Sequence, residues 1–318
     1  MKILFITHAY PNYVPDLLLH GLRKLMGPDV VDYPRKDCLY KGVLGLGVCP
    51  EDQLCPQWFP DDTNSRIDRG DVWQKALRGN FDMVVADWRA WPVVTQKLNG
   101  YSGPLAVIDG EDRPVKIKPG PYVVFRRETW GTDMSIPMPM ALPEEIYNWI
   151  IQYDGLPKKY TVGFLGSTLD GVRLRIVEAI ARWYPDSLFA ATSMPSKNNP
   201  KPAGRESRDS YYQALQSCRF VLNLAGGGYD TFRFWENAAC NSLQITQTMP
   251  LVIPDDFRDQ DHLLRFGSID ELRMKIDAVV QDSDTMKSMV AASRHHLINH
   301  HLTIHRANYF IQCMANAY

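Results

Sequence analysis

No apolar stretch in this sequence approaches the ~20 residues that carry a helix across a membrane. The opening run Met1–Thr7 turns polar at His8, too early for the apolar segment of a secretory signal. A cytoplasmic protein without a transmembrane segment is expected, with peripheral membrane association left open. An excess of either charge is also missing. Lys and Arg number 35 against 36 Asp and Glu, a formal net charge of -1. No strong basic field therefore advertises a nucleic-acid or membrane partner. Paired cysteines are absent as well: Cys38, Cys49, Cys55, Cys218, Cys240 and Cys313 are irregularly spaced and form no CxxC. That pattern fits reduced thiols. Cys49 and Cys55 lack the second ligand pair of a zinc site. His295, His296, His300, His301 and His305 cluster near the end without helpful carboxylates, so no metal and no cofactor beyond a cosubstrate are expected.

What the chain does have is length and apolar residues. Its 318 residues, 45% hydrophobic, exceed one ordinary domain. Short apolar runs suited to buried parallel strands alternate with helical periodicity. Such runs occur at Met1–Thr7, Val30–Tyr33, Phe81–Ala86, Pro104–Ile108 and Tyr122–Phe125, and the first leads into Leu17, Leu18, Leu19, Leu22 and Leu25 at roughly helical spacing. Pro34–Arg69 reads as an irregular excursion. Prolines 137, 139 and 143 punctuate a link, because each forces the residue before it to be extended. The alternation then restarts at Tyr160–Leu165 and continues through Leu188–Ala191, Arg219–Leu224 and Leu243–Thr246. Lys197–Arg208 reads as a polar loop, and the last helix spans about Ile304–Ala317. Two domains are expected, 1–142 and 143–299, with a C-terminal helix at 300–318 packing back on the first.

The most informative segment runs from Tyr211 to Pro254, with Gly226, Gly227 and Gly228 ahead of Arg233 and Glu236 on a helix. Here the chain resembles the donor domain of GT-B glycosyltransferases, group 1, especially the exostosin-like and spore-coat CgeB-like families. Gly163-Phe164-Leu165-Gly166-Ser167 followed by Arg173 is similar to the strand-loop-arginine element of those families. The resemblance covers most of the C-terminal half, and the N-terminal half only by its βαβ layout. It implies an α/β fold of GT-B type, two facing Rossmann-like domains with a cleft between them. It also implies transfer of a sugar from a nucleotide-diphosphate sugar, UDP-sugar favoured, with Arg233 on the diphosphate and Glu236 on the ribose.

The physical reading agrees. A helix N-terminus and a planar guanidinium suit phosphate oxygens. Arg233 can offset charge growing on the leaving diphosphate with no metal. Glu236, one turn on, shares its face and can accept from both ribose hydroxyls. Arg173 is a second phosphate candidate, with Arg175 beside it. Gly227 and Gly228 allow close backbone approach. The related retaining families carry a Glu eight residues before the ribose-binding one, and here that position is Gly228; Tyr229 or Asp230 is the expected substitute. The base would be His8 or Asp109, each following a strand, with Glu111 and Asp112 beside Asp109 and with Asp87 as a third candidate. Trp88 and Trp91 suit sugar stacking or core packing. Acceptors compatible with this reading are a polysaccharide, a lipid-linked sugar, a protein or a modified nucleic-acid base. A sugar-nucleotide 2-epimerase, or a non-catalytic nucleotide- or carbohydrate-binding module, would share the fold.

Overall fold

The computed structural model describes residues 1–40, 64–167, 171–192 and 207–318. Cys49, Cys55 and the loop 197–206 lie outside them. Two parallel sheets organise the chain. The first contains β1 Ile3–Ile6, β2 Val30–Tyr33, β3 Met83–Asp87, β4 Leu105–Asp109, β5 Val123–Arg126 and β6 Ile136–Pro137, in the order β2-β1-β3-β4-β5-β6. The second contains β7 Tyr160–Ser167, β8 Leu188–Thr192, β9 Cys218–Asn223, β10 Leu243–Gln247 and β11 Leu264–Phe266, in the order β11-β10-β9-β7-β8. Every pairing between these strands is parallel.

Numbered within its own half, each sheet has the order 2-1-3-4-5, the first with an added edge strand. Such sheets place ligands beyond the strands' C-terminal ends, where the order reverses. In the second sheet that point lies between β7 and β9. Helices α1 Tyr13–Met26, α2 Val72–Leu77, α3 Trp91–Lys97 and α4 Glu144–Ile151 accompany the first half. The second half carries α5 Gly171–Trp183, α6 Arg208–Gln216, α7 Phe232–Ala239, α8 Ile269–Val279, α9 Ser283–His300 and α10 Thr303–Ala317. All four residues of β1 are buried, as a strand covered on both faces must be.

Three elements differ from the sequence reading. The proline-punctuated link contains β6, and directly after it comes α4, with Glu144 and Glu145 in its first turn and Ile146 and Ile150 buried. β11 adds a fifth strand to the second sheet. The last helix, α10, lies along α1. Gly21 makes the contact close, since a Cβ there would overlap the Thr303 carbonyl. Phe310 of α10 meets Phe125 of β5 with ring centroids 4.8 Å apart.

Candidate functional site

The loop after β9 carries residues 224–231 to the start of α7, so the strand order itself delivers the glycine run to the reversal point. There it faces the first domain across a cleft of about 1040 Å³. Arg173, Gly227, Gly228 and Tyr229 line this cleft, together with Asp112, Arg113, Glu128 and Trp130 from the first domain. The Arg173 Nε donates to the Ala225 carbonyl at 2.7 Å, which holds its guanidinium against the glycine loop. Arg175 is exposed and does not line this cleft.

Arg233 and Glu236, on the first two turns of α7, line neither this cleft nor the second cavity described below. The Arg233 guanidinium carbon lies 4.8 Å from the Phe164 ring centroid. It crosses the end of β7 because residue 166 is glycine: a Cβ there would stand 2.8 Å from Arg233 Nη2. The Arg233 Nε is buried with no hydrogen-bond partner, and the described residues supply no ion pair to this side chain. A simple surface pair between Arg233 and Glu236 is therefore not what the structure contains. Glu236 instead receives hydroxyl hydrogen bonds from Tyr212, 2.8 Å to Oε1, and Tyr211, 3.2 Å to Oε2. Burial raises its pKa, against the pull of Tyr212 and Arg233.

The candidate bases fall elsewhere. Asp109 is fully buried. Its Oδ2 accepts from the Val115 N–H and the Arg126 Nε, both at 3.0 Å, and its Oδ1 from the Glu111 N–H at 3.2 Å. Burial, the largest influence, holds its carboxyl above the usual range. This carboxylate ties down the turn after β4 and lines neither of the two cavities described here. His8 is half-buried, takes the Tyr10 N–H on Nδ1 at 3.2 Å, and also lines neither. Asp87 is buried beside Asn12 and Arg89. Asp230, one expected substitute at the glycine run, is spent internally: Met140 N–H and Trp235 Nε1 donate to its two oxygens at 2.7 and 2.8 Å.

Asp112 is placed differently. Its carboxylate accepts from Arg127 Nη1 at 2.6 Å, abuts Gly227, and borders both the cleft and a second cavity of about 580 Å³ walled by Trp88, Arg89 and Arg113. The Trp91 ring packs edge-on against Tyr122 at 4.7 Å and does not line that cavity. Among the described residues no group of three or more His, Cys, Asp or Glu side chains is placed to hold a metal ion, and no helix is long and apolar enough to cross a membrane.

Residues 162–312 match the model of the glycosyl transferase-like family. That match lies within the C-terminal half. No curated protein sequence matches the chain. Among solved structures, HepE of Anabaena in complex with UDP-glucose aligns over 99% of this chain and 100% of its own, at 14% identity and a TM-score of 0.61. A glycosyltransferase from Rickettsia africae aligns over 99% and 98%, at 10% identity and 0.64. An α-glucosyltransferase in complex with UDP-glucose and DNA containing an abasic site aligns over 99% and 98%, at 9% and 0.56. These likenesses show the GT-B fold over the whole chain, as the sequence resemblance implied.

The sequence singled out the groups of the second domain that share α7 or the glycine loop. It missed Glu128 and Gln247 of the cleft and left Asp112 among several acids. Glu128 follows a strand that was recognised, and the rule that ligands gather beyond strand ends could have found it.

Proposed function

We propose that this glycosyltransferase moves a sugar from a nucleoside-diphosphate sugar, UDP-sugar being the favoured donor, to a hydroxyl acceptor, and does so without a metal ion. One observation carries the reading: the Arg233 guanidinium, its Nε desolvated and without a hydrogen-bond partner, lies at the start of α7. A desolvated guanidinium N–H needs an acceptor, and the N-terminal end of a helix favours an anion there. A diphosphate supplies it. Thr231, the residue before α7, turns its hydroxyl to Asn223 at 2.6 Å and gives the helix no side-chain cap, so the first-turn N–H groups keep capacity for a ligand. Glu236, oriented by two phenols, takes the ribose hydroxyls, and Arg173 is the second guanidinium on the diphosphate. The complexes of HepE with UDP-glucose and with UDP favour uridine as the base.

In the reaction the bond between the sugar's anomeric carbon and the diphosphate oxygen breaks, and the acceptor oxygen bonds to that carbon. The electron pair leaves on the diphosphate, where Arg233 and Arg173 offset it. The acceptor's proton goes to a carboxylate. Asp112 takes this role in place of Asp109 and His8, because it alone of these borders both cavities. The second cavity is charge-balanced, with Arg89 and Arg113 against Glu111 and Asp112, and Trp88 forms part of its wall. A neutral, hydroxyl-bearing acceptor such as a saccharide suits it better than a chain of phosphates.

Calorimetric titration with UDP tests the reading. Arg233→Ala removes a hydrogen-bonded charge pair of about 1.5–3 kcal/mol, so the Kd is expected to rise roughly 10- to 100-fold. Equal affinity in the variant and the wild type contradicts the assignment.

A further inference from the structure

The glycine loop has no side chain at position 228, yet a carboxylate occupies the place where one would be. It comes from the other domain. Glu128 lies just beyond β5 and reaches across the cleft, where the N–H groups of Tyr229 and Asp230 donate to its Oε2 and Oε1 at 3.1 and 2.9 Å. A Cβ at Gly228 would overlap Glu128 Oε1. The glycine leaves room for the intruding carboxylate, and no left-handed backbone demands it, since Gly228 is not among the positive-φ glycines.

A strut between domains explains part of this. But the domains are joined beside it by other bonds: Arg127 donates to the Asp230 carbonyl and the Val252 N–H to the Thr129 carbonyl. Glu128 differs from those ties in lining the cleft itself. Arg127 Nε lies 3.6 Å from Oε1, whereas Oε2, held by one N–H, keeps a further lone pair. It is fixed in direction and accepts only, and a sugar ring beside Arg173 and the glycine loop offers hydroxyl donors.

The geometry points to Glu128 as the group that reads the hydroxyls of the donor sugar, a specificity-determining carboxylate lent by the first domain to the donor loop of the second. The inference rests on the donor reading above. It divides recognition: Arg233 and Glu236 hold the nucleotide from within the second domain, and the sugar is sensed only when the first domain is apposed.

The test is the ratio of Kd for UDP-glucose and for UDP-galactose to the Kd for UDP, in wild type, Glu128→Gln and Glu128→Asp. The glutamine has one acceptor oxygen for two N–H donors. The aspartate keeps the charge but withdraws the carboxylate by one methylene, and so serves if the first variant fails to fold. In both variants UDP affinity stays within about twofold of wild type, while the ratio for the sugar the enzyme uses rises about tenfold or more, the scale of a lost hydrogen bond to a charged group. Unchanged ratios with intact UDP binding overturn this inference alone. Loss of UDP affinity in step with the sugar nucleotides reduces Glu128 to a strut and also overturns it. A wild-type protein that does not bind UDP overturns the donor reading beneath it.

Discussion

Tyr212 is 1% exposed and donates its hydroxyl to a carboxylate that is itself buried. Such a bond to a charged group is worth more than a neutral one, and leaving the partner unsatisfied costs more than the bond itself gains. Tyr212→Phe is therefore expected to lower stability by about 1–3 kcal/mol in urea unfolding and to weaken UDP binding, because Glu236 loses a group that aims it. Unaltered UDP affinity in a destabilised variant would assign Tyr212 to stability alone. Arg233 and Glu236 stand out as a pair in the sequence because they sit one turn apart on one helix, a spacing that places them on one face. Asp112, Glu128 and Gln247 line the cleft from the ends of other strands, and no local spacing connects them to it. Asp109 misled for a physical reason. A carboxylate at the end of a strand can either face the cleft or fasten the turn that follows, and the sequence pattern is the same in both cases.

At the scale of elements, the contact between α1 and α10 depends on Gly21. A methyl there would overlap the backbone carbonyl of Thr303, which cannot rotate away as a side chain can. Gly21→Ala gains helix propensity of about 0.8–1.0 kcal/mol but must move a helix, and overpacking of that kind costs about 1–3 kcal/mol. A net loss of stability is expected in thermal unfolding, and a higher Tm than wild type would show that α10 shifts freely. The strands of the two sheets were readable because each is a short apolar run. β11 was not, since three residues carry too little periodicity. α4 was missed although Ile146 and Ile150 stand four apart, because prolines 137, 139 and 143 dominate the preceding stretch. Pro143 in fact stands at the N-cap of that helix, where an extended residue belongs.

At the scale of the whole molecule, the junction of α9, α10 and the second domain is a site of acid sensitivity. His301 is fully buried. Its Nε2 lies 2.9 Å from the Asp255 carbonyl, and its Nδ1 3.3 Å from an Arg306 nitrogen. Burial first, and then Arg306, push its pKa from 6.5 down to about 2. Between those values the unfolded chain binds the proton and the native one does not, so stability falls as pH drops below about 6.5. Asp16 acts in the opposite sense. Burial lifts its pKa from 3.8 to about 6, so its contribution favours the native state as pH falls through that window. The histidine effect is isolated by difference: from pH 7 to 5.5 the wild-type Tm is expected to fall more steeply than that of His301→Asn. Parallel slopes would remove His301 from the account.

The central claim concerns the donor, and a thermal-shift measurement on the intact protein with UDP, GDP, ADP, CMP and TDP addresses it most directly. A ligand present at 100 times its Kd stabilises the native state by about 2.7 kcal/mol. UDP at about 100 times its Kd is expected to raise Tm by several degrees, more than the other nucleotides do, and the shift is expected to be lost in Arg233→Ala. No shift with any nucleotide at millimolar concentration, or an undiminished shift in the variant, contradicts the account.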